Sequence, residues 1–252
     1  MVTASACRAM STAAWPVVAA ASTAAAAYWY CMSPFSQALG AFPYRGTGSR
    51  KVVALTFDDG PNEPYTSQIA DLLADQQIGA TFFAVGACVE RDPGTARRLV
   101  ADGHVLGSHG YSHRLPRCAG RQTVNDELSR AEEVFARHLG LRPVLFRPPW
   151  LLRTPALFHL AGERSLQLVS GEFAHVLEVL QPSPARIARR AVAKARPGSI
   201  LIFHDGFDAR GGDRSATVDA VRLVIARLRA GGYRFTTVDR LLGVNPYRSP
   251  AP

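Results

Sequence analysis

Six residues have the chemistry for hydrolysis at a metal centre: Asp58, Asp59, His109, His113, Arg147 and His204. Two carboxylates stand side by side in residues 56–61, TFDDGP. Successive side chains of a strand diverge, so one carboxylate can bind a metal while the other faces a water. Gly60-Pro61 then forces the chain to turn. Taken alone, Asp-Asp-Gly is equally well read as a solvated turn. His109 and His113 lie four residues apart and share a face if the segment makes one helical turn. Two imidazoles and one carboxylate form a three-ligand set that leaves a position for water, as catalytic zinc requires. Arg147-Pro-Pro-Trp150 places a fixed cation on a proline-stiffened segment. A guanidinium beside Asp58 would keep that carboxylate ionised and oriented. His204 closes a hydrophobic run and is placed to protonate a leaving group. The bland readings are a surface ion pair for the arginine and a hydrogen-bonded core histidine for His204. His104 opens a strand and reads as structural.

The elements that must position these residues alternate. Runs rich in branched apolar residues predict strands over 51–57, 80–85, 104–106, 143–146, 166–169, 199–203 and 233–238. Helical periodicity predicts helices over 64–77, 93–101, 123–139, 155–161, 184–195 and 214–230. Such alternation implies an α/β fold of parallel strands joined by right-handed crossovers, closed either as an open doubly wound sheet or as a barrel. No Gly-x-Gly-x-x-Gly follows the first strand, which removes the main sign of a dinucleotide site. Each reactive residue falls just past the C-terminal end of a strand, the edge where such folds build active sites.

The chain has 252 residues, nearly half of them hydrophobic, enough for a large buried core. Its net charge of +9 is mostly arginine on amphipathic helices. Solvated helix faces explain it; attraction to a membrane surface or a polyanion is the sharper alternative. No dense basic run interleaves with aromatics, so no nucleic-acid partner is expected. No charged residue occurs between Arg8 and Arg45. Residues 13–35 are Ala-rich and apolar, with Trp15, Tyr28, Trp29 and Tyr30 near the ends. They read as a membrane anchor or as an export signal cut near residues 22–24 or 25–27. The division is therefore 1–45 signal or anchor plus linker, 46–243 catalytic domain and 244–252 a loose tail. Either reading of the N-terminus makes the protein exported or membrane-anchored, in the cell envelope. Cys88 and Cys118 follow neighbouring strands, and export would allow them to pair.

TFDDGP, HGYSH, RPPW and ILIFHD, in that order, resemble the NodB-type polysaccharide deacetylases, carbohydrate esterase family 4. The likeness covers about residues 50–243. It implies a distorted (β/α)7 barrel and a metal-dependent hydrolase that removes N-acetyl groups from N-acetylglucosamine-containing glycans: chitin-like, peptidoglycan or lipid-linked. It assigns Asp58 as base, and Asp59, His109 and His113 as ligands of one divalent metal, usually Zn2+. It further assigns Arg147 to hold Asp58, the Trp150 backbone N–H to the oxyanion, and His204 as acid. Family alternatives are an O-acetyl (xylan-type) esterase and a catalytically weak carbohydrate-binding homologue. Two departures stand out. Gly110 occupies a position usually held by Ser or Thr. After the fifth strand, where the family places an Asp to orient the catalytic histidine, residues 170–178 (SGEFAHVLE) contain none. Glu172 and Glu178 are the available carboxylates, and Glu172 is expected to orient His204 because it is nearer the strand end.

Overall fold

The apolar run Val52–Asp58 forms β1, the strand around which the rest is arranged. A computed structural model describes residues 14–248. Helix α1 (Ala14–Cys31) precedes β1, and α2 (Tyr65–Asp75), β2 (Thr81–Ala84), α3 (Gly86–Arg91), α4 (Pro93–Ala101) and β3 (Val105–Ser108) follow. Next come α5 (Arg121–Leu139), β4 (Leu145–Phe146), α6 (Pro155–Glu163), β5 (Gln167–Leu168) and β6 (Glu172–Phe173). The chain ends with α7 (Pro184–Lys194), β7 (Ile200–His204), α8 (Ser215–Ala230), β8 (Arg234–Thr236) and α9 (Val238–Leu242).

All eight strands pair in parallel, in the order β5-β4-β3-β2-β1-β7-β6, with β8 added against the start of β1. The seven expected strands are present. The eighth, β6, is two residues long and was not expected, because so short a run carries no periodicity. It decides the closure. β5 and β6 are the two ends of the sheet, yet residues 169–171 alone join them. Four chain steps span about 14 Å at most, so the sheet must curl until its ends meet. Gly171 sits in this seam, where a Cβ would lie 2.7 Å from Ile202 Cγ1 and 2.9 Å from the Ile200 carbonyl oxygen. The result is a curled, barrel-like sheet wrapped by helices.

The largest core cluster joins Leu55, Phe57, Phe82 and Phe203 of the sheet to Ile69, Leu73, Leu99, Val221 and Val224 of the surrounding helices. The part before residue 46 is not merely a linker. Phe42 is fully buried among Leu128, Phe146 and Leu157, and the Ser170 N–H donates to the Pro43 carbonyl across the seam. Nor are residues 244–248 loose. Val144 N–H donates to the Pro246 carbonyl, Leu106 N–H donates to the Tyr247 hydroxyl at 3.0 Å, and Arg248 N–H donates to the Arg142 carbonyl. Residues 1–13 and 249–252 of the expected flanking segments lie outside the described residues.

Candidate active site

β1 ends in Asp58, which is buried. Arg147, fully buried just past β4, donates from Nη1 to Asp58 Oδ1 at 2.7 Å and to Thr56 Oγ1 at 2.7 Å. Its Nη2 donates to the Ser170 carbonyl at 2.9 Å, and the guanidinium lies over the Phe83 ring. Burial pulls the Arg147 pKa down while Asp58 pulls it up; a guanidinium so paired remains charged. Asp58 therefore has one oxygen committed to a fixed cation.

Asp59 turns the other way, at φ +80°. Its Oδ1 lies 3.4 Å from His109 Nε2 and 3.1 Å from His113 Nε2. All three residues are buried, and their ligand atoms lie within 4.8 Å of one another. His109 Nδ1 is 2.7 Å from the Arg147 carbonyl oxygen. A carbonyl only accepts, so Nδ1 carries the proton and Nε2 of the neutral ring presents a lone pair. That lone pair and the buried, unpaired Asp59 Oδ1 face each other, an arrangement that a cation between them satisfies. Burial alone would raise the Asp59 carboxyl. The imidazoles of His109, His113 and His204 more than reverse this and hold it well below the usual carboxylate range. Burial also lowers the His113 pKa, favouring the neutral form that a metal ligand needs.

The two histidines do not share a helix turn. They belong to an irregular loop after β3, with Gly110 at φ +79° and His113 at φ +49°. Glu127 of α5 holds that loop, accepting from the Tyr111 and Ser112 N–H groups and from Ser112 Oγ. Asp208 lies 3.0 Å from His113 Nδ1, and its N–H donates to Asp59 Oδ2. Neither Glu127 nor Asp208 has a motif around it, so sequence reading passed over both.

His204 ends β7 beside Asp58, with which it is in register. The carboxylate against it is Glu178, not Glu172. Glu178 Oε2 lies 2.5 Å from His204 Nδ1, and its Oε1 accepts from the Thr217 hydroxyl. Glu172 is half-buried within β6, where its register partner is Leu201. The reason is geometric: the chain leaves β6, loops back through a short helical turn at Glu178–Leu180, and only there points inward. Burial pulls the His204 pKa down. The Glu178 carboxylate outweighs it, helped by Asp59 and Asp58, and the imidazole is raised to about 9. Phe173 lies parallel to the ring on one side.

Asp205, next in the chain, is a structural acid. It accepts from the Gly60 N–H and from the Thr66 hydroxyl, locking the turn after β1 to the end of β7. A Cβ at Gly60 would overlap its carboxylate. Burial and the charges of Asp59 and Asp58 push its pKa up to about 7. Cys88 and Cys118 are free thiols and do not pair; Cys88 Sγ faces the Asp59 carbonyl and Cys118 Sγ the Arg114 carbonyl.

Asp58, Asp59, His109, His113, Trp150 and His204 line one cleft of about 430 Å3, walled by Tyr28, Phe173, Val176 and Phe207. Trp150, at φ +54°, packs its ring 4.3 Å from that of His113. A broader depression adjoins it, sharing His113, Trp150 and Asp208.

A polysaccharide deacetylase family profile matches residues 45–168. A peptidoglycan-N-acetylglucosamine deacetylase of Bacillus cereus is 33% identical over 195 residues, covering 77% of this chain and 89% of the relative. The chain belongs to the polysaccharide deacetylase family. A chitooligosaccharide deacetylase of Sinorhizobium fredii is 30% identical over 200 residues, covering 76% of this chain and 91% of that one. Among solved structures, the peptidoglycan N-acetylglucosamine deacetylase Bc1960 superposes with a TM-score of 0.77 at 28% identity, covering 82% of this chain and 95% of that one. The curled parallel barrel is thus the deacetylase fold. Metal dependence is a property of this family, and the Asp59/His109/His113 cluster is where an ion fits here.

Proposed function

We propose that this chain hydrolyses the acetamide of N-acetylglucosamine units in a peptidoglycan- or chitin-type glycan, releasing acetate and leaving a free amine. One observation carries the reading. A base held by a fixed cation, a three-ligand metal cluster and a carboxylate-paired histidine open into a single cleft. Relatives with the same named activity support it.

Two imidazoles and one carboxylate favour Zn2+, which when bound supplies Lewis acidity toward a carbonyl oxygen and acidifies water. Asp58, oriented by Arg147, takes the proton of the attacking water. The Trp150 backbone N–H donates to the developing oxyanion. His204, kept protonated by Glu178, gives its proton to the departing amine. An amine is a poor leaving group without that proton, whereas an ester alkoxide needs it less. The intact His204–Glu178 pair therefore favours the amide over an O-acetyl ester. The pair also removes the argument for a weak sugar binder, which rested on a histidine lacking its carboxylate.

The exported or membrane-anchored location expected from residues 13–35 fits relatives named for wall and chitin-type glycans. Among the described residues no helix is long and apolar enough to cross a membrane. The test is acetate release from chitin oligomers, peptidoglycan fragments and acetylated xylan, with and without chelator. Release from the first two, lost on chelation, is the expected outcome. Turnover of xylan alone, or none with metal bound, overturns the reading.

A further inference from the structure

α1 has no charged residue, and its residues 16–30 are exposed all round. A helix apolar on every side has no stable place in water unless something covers it. Nothing else in the described chain does. Its C-terminal end is nevertheless fixed. Arg153, buried to 1% exposure, donates from its backbone N–H and Nε to the Cys31 carbonyl, from Nη1 to that of Ser36 and from Nη2 to that of Trp29. The guanidinium lies over the Phe42 ring. This clamp sets Tyr28 as a wall of the active-site cleft, which His175 and Val176 also line.

The loop continuing from that wall is also apolar and uncovered. Val176 is 72% exposed, Leu177 49% and Leu180 72%; Trp29 on α1 is 55% exposed. Behind the loop stands α7. Arg186, Arg190 and Lys194 lie close enough to His175 for their charge to add to burial in lowering its pKa. Arg186, Arg189, Arg190 and Arg196 are exposed, and none of these cations has an ion-pair partner among the described residues. Between Phe173 and His204 the only acidic residue is Glu178, which is turned inward onto His204. Exposed apolar and aromatic side chains bordered by unpaired cations are the pattern of a surface that seats in an anionic lipid interface.

We infer that the face formed by the end of α1, the loop at Val176–Leu180 and the cationic side of α7 docks on an anionic lipid membrane, with the mouth of the active-site cleft at its edge. The docking does not depend on the reaction. Its consequence, that the substrate is a glycan presented close to the membrane, rests on the deacetylase reading above.

Cosedimentation of the full chain with vesicles tests it. Strong binding is expected to vesicles containing phosphatidylglycerol and weak binding to pure phosphatidylcholine, with added salt reducing the difference. Leu177→Ser/Leu180→Ser is expected to weaken binding, while acetate release from soluble chitin oligomers is unchanged. Arg189→Glu/Arg190→Glu is expected to lower affinity for the anionic vesicles by about tenfold or more. Equal binding to both lipids overturns the inference. So does binding by both variants as tight as that of the unaltered chain, since α1 alone would then suffice. A dimer in lipid-free solution that either variant breaks also overturns it, assigning the face to a second copy. Loss of acetate release from soluble oligomers by the unaltered chain speaks to the reaction alone.

Discussion

Glu178 Oε2 stands 2.5 Å from His204 Nδ1, and the two residues are brought together from separate elements on one flank of the barrel. The pair fixes which ring nitrogen faces the cleft: Nδ1 is committed to the carboxylate, and Nε2 is free to act on substrate.

Replacing Glu178 by Gln is expected to lower kcat by about tenfold to a hundredfold, with a smaller effect on KM. The pH profile carries the sharper signal. His204 is raised to about 9, burial opposing and Glu178 driving the rise. A raised histidine is protonated to higher pH, so the acid function is lost as pH climbs through about 9. Without Glu178 the alkaline limb moves down toward neutrality. The same sign holds for stability: the pair's contribution is full below the ordinary histidine value and disappears as pH rises through the raised one. Glu172→Gln should leave rate and profile unchanged. A profile that shifts for Glu172 and stays put for Glu178 would reverse the assignment.

Arg147→Met removes the cation from a buried carboxylate. Breaking such a pair from one side costs about 3–5 kcal/mol, measurable by urea denaturation. Adding Asp58→Asn should recover a substantial part of the loss, although the double variant has no base and no activity. A double variant no more stable than Arg147→Met would mean that Arg147 acts through packing on Phe83 alone.

Chelation is expected to lower the melting temperature as well as activity. A site filled at a hundred times its Kd contributes about 2.7 kcal/mol, or roughly 5–10 °C for a domain of this size. His109→Ala should abolish both the metal content and the response to chelator. Unchanged melting in chelator, with stoichiometric metal removed, would contradict an ion shared by Asp59, His109 and His113.

Gly110→Ser installs the residue type usual in the family. Here the backbone sits at φ +79°, where a side chain costs about 1–2 kcal/mol. The space is open, with the nearest atom to a Cβ being Glu127 Oε2 at 3.8 Å. The variant should fold, melt earlier and keep its metal. An equal or higher melting temperature would show that the loop relaxes freely.

The clustering of Asp58, Asp59, His109 and His113 was legible because these residues sit in compact motifs at strand ends, where alternation alone predicts a common rim. Asp58 and His204 share a register position across β1 and β7, so strand boundaries good to a residue or two suffice. Glu178, Glu127 and Asp208 were not legible in the same way. Each reaches the site from a helix or an irregular turn, and its direction depends on backbone torsions that no periodicity encodes. His109 and His113 were paired rightly for the wrong local reason, since positive-φ residues rather than a helix bring them together. β6 escaped notice for its length, and with it the feature that closes the barrel.

In the proposed reaction, the seam at residues 169–171 also divides the site residues along the chain. Asp58, Asp59, His109, His113, Arg147 and Trp150 all precede it; Glu178 and His204 both follow it. In that reading, proton acceptor and proton donor come from two consecutive stretches of polypeptide, joined where β7 and β8 pair with β1 and where Asp208 reaches His113. Glu178 and His204 share the second stretch, so the donor and its carboxylate can vary together and a glutamate reached by a detour can stand beside the histidine, whereas His113 and Asp59 of the first stretch depend on Asp208 of the second.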